Sequence, residues 1–441
     1  ELRQHYDLDH AVLEPSFICE KLGIQGRVDL MTTDLKLLVE QKSGRNIFIE
    51  HNAPNAHGAK VVEKHYVQLL LYYGILYYNF NQSHTDIRLL YSKYPLPDGL
   101  ISVTQLMKLV YEAIRFRNEA IAIDFDIALH GPEKQLEKLT IDNLNTAQMS
   151  GFFYENYLRP QLESVLQPLQ NLQPLEHAYF CRMLQFVVRE NLLAKVGVIE
   201  GTGNSVANLW NMPLTEKRET GNIYTGLTIL NKEKGAETQG YNSYDLITLS
   251  VPDQGNDFLP NFRRGDMVYL YAYPADKEPD VRRAMLFRGG IAEIHTDKIT
   301  VQISPAAYPL TSSLWCIEHA SSDVGGGASI RSLYEFITAT VDRKALLLGQ
   351  RAPQCDKNVT LSRNYDPILD PILLRAKQAK DYFLLVGPPG TGKTSRALRY
   401  LVEEELGSHT EQSASPQPSP IKKREQQQKV STNSSPSPTG E

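Results

Sequence analysis

The chain has 441 residues, of which 41% are hydrophobic and 22% charged, and its formal net charge is −5. This composition is that of an ordinary globular protein of about two to four domains, and it argues against a disordered chain, a membrane protein and a uniformly basic nucleic-acid coat. Because no apolar run reaches the roughly 18 residues of a membrane span and the four cysteines lie far apart, we expect a cytoplasmic protein without a disulfide framework.

The first region, residues 1–160, alternates short apolar strands with helices, which is typical of a mixed α/β domain. Residues 22–31 (LGIQGRVDLM) and 35–44 (LKLLVEQKSG) are two apolar stretches joined by a short polar turn, and they predict a hairpin. Downstream, residues 58–80 predict a helix of about five or six turns, and residues 86–94 (DIRLLYSKY) predict a further strand.

The middle of the chain changes its hydrophobic period twice. Residues 161–215 are mostly helical in pattern and predict a connector or stalk. From 216 to 305 the period becomes two, with Gly and Asp signals between short segments, which predicts a small β-barrel. Residues 306–365 predict a mixed connector, in which VGGGAS at 324–329 is typical of a loop.

The C-terminal part begins as one strand–loop–helix unit. Within residues 366–406 we expect a helix over 371–381, a strand at 382–386 (YFLLV), a phosphate loop, and a helix over 393–406. Residues 407–441 are rich in Ser and Pro and poor in apolar residues, so we expect a disordered tail.

Two carboxylates and a lysine fall on the predicted hairpin, with Asp29 on the first strand and Glu40 and Lys42 on the second. Because side chains two positions apart on a strand share a face, Glu40 and Lys42 point the same way, and pairing of the hairpin brings Asp29 opposite them. Carboxylate oxygens hold magnesium or manganese, and such a metal together with a lysine stabilises a phosphate under attack. A solvated strand edge with paired charges is the alternative interpretation of the same pattern.

Two flanking motifs make this pattern more specific. Glu14 precedes Asp29 in the arrangement E-x(14)-D-x(10)-E-Q-K-S-G, and Gln68 and Tyr72 are spaced i, i+4 on one face of the predicted helix. Together the motifs resemble the RecB-type nuclease module of the PD-(D/E)XK superfamily. Within that superfamily, they are most similar to the module of the DNA replication ATP-dependent helicase/nuclease family.

The resemblance implies metal-dependent cleavage of DNA, preferentially single-stranded or flap-like. In the family, two carboxylates bind the metal, a lysine is catalytic, and an additional acidic residue belongs to the site. A Q-x(3)-Y helix borders the site and helps to place the lysine and the DNA backbone. The resemblance thus assigns metal binding to Asp29 and Glu40, catalysis to Lys42 and the additional acidic position to Glu14. Gln68 and Tyr72 match the Q-x(3)-Y helix. Eukaryotic members carry an iron-sulfur cluster on clustered cysteines, which this sequence lacks, so we do not expect that cofactor.

A second motif, GPPGTGKT, fits the phosphate-loop pattern G-x(4)-G-K-[ST]. In such a loop the glycines turn backbone N–H groups toward a phosphate, the lysine reaches it, and the final hydroxyl reaches magnesium. With its flanking residues the motif resembles the first motor domain of superfamily 1 helicases, so we expect ATP binding. The residues concerned are Gly387, Pro388, Pro389, Gly390, Thr391, Gly392, Lys393 and Thr394.

ATP turnover by this chain alone is not expected. Hydrolysis needs an acidic residue on a later strand to hold magnesium, together with a group that positions water. In the order that these proteins use, both follow the loop, and nothing after Leu406 can supply them.

The sequence therefore predicts a multidomain α/β protein with a PD-(D/E)XK nuclease domain, a helical stalk, a small β-barrel and the start of a P-loop (RecA-like) motor domain. We expect a magnesium- or manganese-dependent nuclease whose partners are DNA and ATP, with no membrane. Two alternatives stay open: a nucleic-acid-binding remnant without catalysis, and a switch protein that binds nucleotide without turning it over.

Overall fold

The computed structural model describes residues 10–197, 205–234, 244–255, 258–306, 314–320 and 324–412. The chain divides into two compact units, residues 1–338 and residues 339–441. The first unit contains a five-stranded sheet, a two-stranded sheet and a closed six-stranded barrel, with helices between them. This arrangement confirms the predicted mixed α/β class and the small barrel. Among the described helices, none is long and apolar enough to cross a membrane.

The N-terminal part of the first unit is built on the five-stranded sheet, whose strand order is β1-β4-β5-β6-β7. All its neighbouring strands are antiparallel except β5 and β6, which run parallel, while β2 and β3 form the separate two-stranded sheet. In chain order the elements are β1 (Ala11–Leu13), β2 (Ser16–Cys19), β3 (Ile24–Arg27), β4 (Leu30–Thr32), β5 (Leu37–Lys42), α1 (Ile47–Glu50), α2 (Glu63–Phe80), β6 (Asp86–Tyr91) and β7 (Leu100–Ser102).

Helix α2 supplies most of the apolar cover of this part of the unit. Its buried residues recur at helical spacing, with Tyr66, Leu69, Leu70, Tyr73 and Leu76 all nearly inaccessible to solvent. They pack in one cluster with Val28, Met31 and Leu38 from the strands. Burial of this face against the strands is what fixes the helix beside β5.

Two predicted boundaries in this part are wrong. The stretch 22–31 is not one strand: β3 pairs with β2, whereas β4 pairs with β5, and the chain crosses from one sheet to the other at residues 28–29. The helix predicted over 58–80 begins only at Glu63. The backbone carbonyl groups just before Glu63 accept hydrogen bonds from side-chain amides instead of from helical N–H groups. Asn46 donates to the carbonyl of Lys60, and Asn55 donates to that of Val61.

A helical region follows, as the pattern over 161–215 predicts, although it starts well before residue 161. It opens with the 24-residue helix α3, and a short π-helical segment, Tyr154–Leu158, precedes α6. The helices are α3 (Met107–His130), α4 (Glu133–Leu136), α5 (Ile141–Leu144), α6 (Arg159–Gln170), α7 (Pro174–Val196), α8 (Asn208–Asn211) and α9 (Leu214–Glu219).

The barrel closes in the order β10-β11-β12-β9-β8-β13. Alternate side chains such as Val268, Leu270, Ile291 and Val301 fill its interior, which is the period of two that the sequence displays. The strands are β8 (Ile223–Glu233), β9 (Tyr244–Ser250), β10 (Met267–Tyr273), β11 (Phe287–Ile294), β12 (Lys298–Ala306) and β13 (Leu314–His319).

The predicted end of the barrel at residue 305 is too early. Strand β13 pairs with both β8 and β10 and so closes the barrel, although its residues fall in the predicted mixed connector. The loop predicted at 324–329 is also wrong, since these residues open helix α10 (Val324–Thr338). The buried residues Leu333, Phe336 and Ile337 give α10 an apolar face, and packing of that face overrides the low helix propensity of the glycines.

The barrel and the N-terminal sheets are joined by backbone hydrogen bonds. Ser16 N–H donates to Leu286 O at 2.8 Å, and Leu286 N–H donates to Ser16 O at 2.9 Å. Val12 of β1 lies within the apolar cluster of the barrel and is fully buried. Strands β1 and β2 are therefore fixed against the barrel, which places barrel residues beside the N-terminal part of the unit.

The second unit contains α11 (Val341–Leu347), α12 (Asp370–Gln378), a π-helical segment at Lys393–Leu398 and α13 (Arg399–Gln412). The strand predicted at 382–386 is wrong. Leu384 and Val386 are 77% and 93% exposed, and no strand of the described residues lies beside them to accept the backbone hydrogen bonds of a ladder. Helix α13 continues past the predicted boundary at 406, and the predicted disordered tail lies outside the described residues from 413 onward.

Candidate active site

The sheet brings Asp29, Glu40 and Lys42 together. Glu40 and Lys42 share a face of β5, and Lys42 Nζ lies 2.7 Å from Glu40 Oε1. The register pairs Leu30 with Val39, so Asp29 lies just outside β4 at the level of Glu40. Asp29 Oδ2 accepts a hydrogen bond of 2.7 Å from the backbone N–H of Gln41. This bond anchors the Asp29 carboxylate to the strand that carries the other two residues.

Helix α2 adds Gln68 and Tyr72 to the same group. Gln68 Oε1 accepts from Lys42 Nζ at 3.0 Å, while Gln68 Nε2 donates to Glu40 Oε1 and to the Tyr72 hydroxyl, each at 2.9 Å. An ammonium can only donate and a carboxylate can only accept, so these two partners fix the orientation of the amide. Gln68 therefore holds both the lysine and the glutamate in place.

Glu40 is the most deeply buried member of the group, with 3% of its surface exposed. Burial raises the pKa of its carboxyl group, the hydrogen bond from Lys42 opposes the rise, and the charge of Asp29 adds to it. Its second oxygen, Oε2, is buried and has no hydrogen-bond partner within the part of the chain that the structure describes. A buried carboxylate oxygen without a donor is costly, so this atom calls for a cation, a proton or an ordered water molecule.

The donors present fit a magnesium or manganese ion. Asp29 and Glu40 offer hard carboxylate oxygens, and magnesium usually takes one or two carboxylates from a protein and keeps several waters. No group of three or more His, Cys, Asp or Glu side chains suited to a metal occurs among the described residues. A metal at this site would therefore rest on the carboxylate pair, with water and substrate oxygens completing its coordination.

The group opens into a cleft of about 500 Å³. One wall is the two-stranded sheet, another is helix α2, and the third comes from strands β10 and β11 of the barrel. The residues that line it are Ser16, Phe17, Gln25, Gly26, Arg27, Asp29, Glu40, Gln68, Tyr72, Tyr269 and Arg288.

Glu14 stands apart from this lining. Its backbone N–H donates to Asp29 O at 3.1 Å, so the backbones of the two residues lie side by side. Its side chain, however, pairs with Arg27 at 3.4 Å, and its carboxylate is absent from the cleft lining. The structure thus brings five of the six predicted residues of this site together and places the sixth beside them.

Sequence reasoning missed Gly26 and the barrel residues Tyr269 and Arg288. Gly26 lies in the predicted first strand, but the close approach of its backbone to Tyr72 depends on the packing of α2. Tyr269 and Arg288 are far from the motif in sequence, and only the hydrogen bonds between Ser16 and Leu286 bring their strands to the cleft. For Arg288, the sequence signal that could have identified it is a basic residue within a stretch of alternating strand pattern.

A second cleft of about 520 Å³ lies at the outer face of the barrel. Its two most buried charged groups, Lys217 and Glu318, are bonded to each other at 2.6 Å. Lys217 also donates to Leu209 O, and Tyr271 donates to Glu318. These charged groups already have hydrogen-bond partners within the protein. This cleft therefore has fewer polar groups ready to bind a ligand than the cleft at Glu40.

The phosphate-loop residues lie together in the second unit. Gly390 and Gly392 have φ values of 81° and 82°, a region that favours glycine, and the helical segment begins at Lys393. Lys393 Nζ donates to the carbonyl groups of Gly387 and Pro388, so the ammonium is held over the loop by its own backbone. Thr394 is exposed.

The fold and the site define a mixed α/β protein in which a carboxylate–lysine–glutamine group faces a cleft shared with a β-barrel. No protein-family model matches the chain, and no curated protein matches it in sequence.

Proposed function

We propose that the chain is a metal-dependent nuclease that hydrolyses phosphodiester bonds in single-stranded or flap DNA. The observation that carries the proposal is the state of Glu40, whose carboxylate lies close to that of Asp29. One of its oxygens is held by Lys42 and Gln68, and the other is buried with no hydrogen-bond partner among the described residues. The resemblance of the same residues to the RecB-type nuclease module of the helicase/nuclease family supports it.

Asp29 and Glu40 would hold the magnesium or manganese ion, which supplies Lewis-acid stabilisation of a phosphate and a more acidic bound water. Lys42 is fixed by Glu40 and Gln68, so its ammonium stays beside the carboxylates and stabilises negative charge on the phosphate oxygens. Burial raises the pKa of Tyr72, which keeps its hydroxyl protonated. That hydroxyl accepts from Gln68 and can donate its own hydrogen to a phosphate oxygen.

Cleavage of labelled single-stranded and flap DNA tests this proposal. We expect the intact protein to cut with Mg²⁺ or Mn²⁺ and to stop on addition of a chelator. Glu40→Gln and Lys42→Met should each lower the rate by about 10²-fold or more, the size of effect seen when a charge-stabilising group is removed.

Two substitutions serve as matched controls. Glu63→Gln removes an exposed carboxylate at the start of α2, and Lys36→Met removes an exposed lysine just before β5. Both should retain the rate of the unaltered protein. Full cleavage by Glu40→Gln and Lys42→Met would sink the site assignment, and a folded protein that never cuts DNA would favour the non-catalytic nucleic-acid-binding alternative.

For the second unit we propose that residues 387–394 bind the phosphates of ATP. The supporting observation is the Lys393 ammonium held over the loop, with Gly390 and Gly392 in backbone conformations that favour glycine. Calorimetry should find ATP binding that Lys393→Ala removes, whereas Lys357→Ala, which removes an exposed lysine of the same unit, should retain it. Equal ATP affinity of the unaltered protein and Lys393→Ala would contradict the proposal.

A further inference from the structure

The third wall of the cleft is formed by two barrel residues, Tyr269 and Arg288. They are direct partners in the β10–β11 ladder. Their neighbours Val268, Leu270 and Phe287 belong to the barrel interior, so Tyr269 and Arg288 lie on the outer face. This outer face is the one that meets the N-terminal sheets, and both residues line the cleft that contains Asp29 and Glu40.

The guanidinium of Arg288 forms no ion pair with another described residue. Arg288 is exposed, and within the described ranges it has neither a hydrogen bond nor an ion pair. Arg282, on the same side of the barrel, behaves differently, since it is bonded to both Asp280 and Glu20. A free guanidinium with several donors in a fixed fork suits a phosphate group.

The cleft also needs such a cation. Asp29 and Glu40 place two carboxylates where a polyanion would bind, and Lys42 is already paired with Glu40. The basic residues of the lining itself are Arg27 and Arg288, and Arg27 is paired with Glu14. Arg288 is therefore the lining cation with no carboxylate partner in the described part of the chain, and it lines the same cleft as Asp29 and Glu40.

The wall is connected to the N-terminal strands at several points. The two backbone hydrogen bonds between Ser16 and Leu286 attach β2 to the chain two residues before Arg288. The ion pair of Arg282 with Glu20, at 2.7 Å, adds a second connection. Tyr269 is itself 5% exposed and is packed in a cluster with Ile18 of β2.

We propose that Tyr269 and Arg288 form a phosphate-binding subsite that holds a backbone phosphate of single-stranded DNA next to the bond placed at Asp29 and Glu40. The inference rests on the proposed function and gives the barrel a defined part in it. Arg288 supplies the charge, and the Tyr269 hydroxyl supplies a second donor. Because the contact is to the backbone, it strengthens binding without selecting a sequence.

Binding of fluorescein-labelled single-stranded DNA in the presence of a chelator tests the subsite without any cleavage. Fluorescence anisotropy at several salt concentrations gives the slope of log affinity against log salt. Loss of one phosphate contact lowers the magnitude of that slope by about 0.7 for a single strand. We expect Arg288→Gln to show this change, and to weaken binding equally for oligothymidylate and for a mixed sequence. Tyr269→Phe should weaken binding less and leave the slope unchanged.

The control is Arg264→Gln, which removes an exposed arginine from the loop before β10 that is outside the cleft lining. It should bind as the unaltered protein does. An Arg288→Gln variant with unchanged affinity and salt slope overturns the subsite, as does an unaltered protein that binds no single-stranded DNA. Binding that depends on Arg288 without metal-dependent cleavage leaves the subsite standing and refutes the nuclease. Metal-dependent cleavage by a protein whose DNA affinity does not depend on Arg288 supports the nuclease and refutes the subsite.

Discussion

Gly26 and Tyr72 lie in direct contact across the cleft wall: a Cβ atom added at Gly26 would come 2.5 Å from Cε1 of Tyr72. The strand β3 can approach helix α2 this closely only because residue 26 has no side chain. The contact positions the tyrosine ring whose hydroxyl accepts from Gln68. A glycine outside the recognised motif thus shapes the candidate active site.

Gly26→Ala should therefore impair cleavage. The added methyl group must displace the Tyr72 ring, at a cost of about 1–3 kcal/mol in the free energy of unfolding, as for other overpacked sites. We expect a lower cleavage rate together with a lower denaturation midpoint. The control is Gly327→Ala in α10, where the added Cβ meets open space. If both variants cut DNA at the same rate, the contact between Gly26 and Tyr72 has no part in the site.

Gln68 should matter through the groups that it holds. Gln68→Met keeps the length of the side chain but loses the hydrogen bonds to Lys42, Glu40 and Tyr72. We expect a fall of about 10- to 100-fold in the cleavage rate, the effect typical of residues that orient catalytic groups. Tyr72→Phe loses only one of these bonds and should have a smaller effect. Single-turnover cleavage at saturating metal measures both, and a normal rate for Gln68→Met would refute the role of the amide.

The buried pair Lys217 and Glu318 should control barrel stability. Their charged groups are 2.6 Å apart, and burial raises the pKa of Glu318 while Lys217 opposes the rise. Lys217→Met leaves the carboxylate buried without its cation, so we expect a loss of about 3–5 kcal/mol in the free energy of unfolding.

The double variant Lys217→Met/Glu318→Met removes both charges and should recover most of that loss. Urea denaturation measures each difference. Lys108→Met breaks an exposed pair with Glu112 and should change the free energy by less than about 1 kcal/mol. Equal effects of Lys217→Met and Lys108→Met would mean that the buried pair contributes no more than a surface pair.

Acid should loosen the second unit through Glu404. Burial acts to raise the pKa of this carboxyl group, but hydrogen bonds from Lys377, Ser362 and Tyr365 outweigh it and hold the pKa at about 2, against an ordinary value of 4.5. A lowered pKa in the folded state stabilises the fold above the unfolded value. The contribution is therefore present above about pH 4.5 and is lost as the pH falls toward 2.

Hydrogen exchange of peptides from α12 and α13 measures this effect. In the unaltered protein, protection should fall over that pH range after correction for the intrinsic exchange rate. Glu404→Gln should lower protection at neutral pH and flatten the dependence. Asp342→Asn removes a largely exposed carboxylate of the same unit; it is the control and should follow the unaltered protein. An unchanged profile for Glu404→Gln would contradict the assigned pKa.

The parts of the site that the sequence predicts are those set by local periodicity. Glu40 and Lys42 share a face because a strand repeats every two residues, and Gln68 meets Tyr72 because a helix brings positions i and i+4 together. The interior of the barrel is predicted in the same way. The metal, the DNA and the nucleotide stay proposals, since they depend on chemistry that spacing alone does not reveal.

The parts that the sequence does not predict depend on tertiary packing. The stretch 22–31 forms two strands because its first half pairs with β2 and its second half with β5. Strand β13 belongs to the barrel although it lies after residue 305, where the sequence pattern ends the barrel. Residues 324–329 become helical because α10 has an apolar face to bury. The stretch 382–386 has the apolar residues of a strand, yet no neighbouring strand lies beside it in the described part of the chain.

The central claim is that Asp29 and Glu40 hold a divalent metal ion on which DNA hydrolysis depends. Titrating Mn²⁺ into the intact protein with single-stranded DNA, while measuring bound Mn²⁺ by electron paramagnetic resonance and product in the same samples, tests it most directly. We predict that binding and cleavage saturate together and that Glu40→Gln removes both, while Glu63→Gln retains both. Cleavage without bound Mn²⁺, or Mn²⁺-dependent cleavage retained in full by Glu40→Gln, would contradict the account.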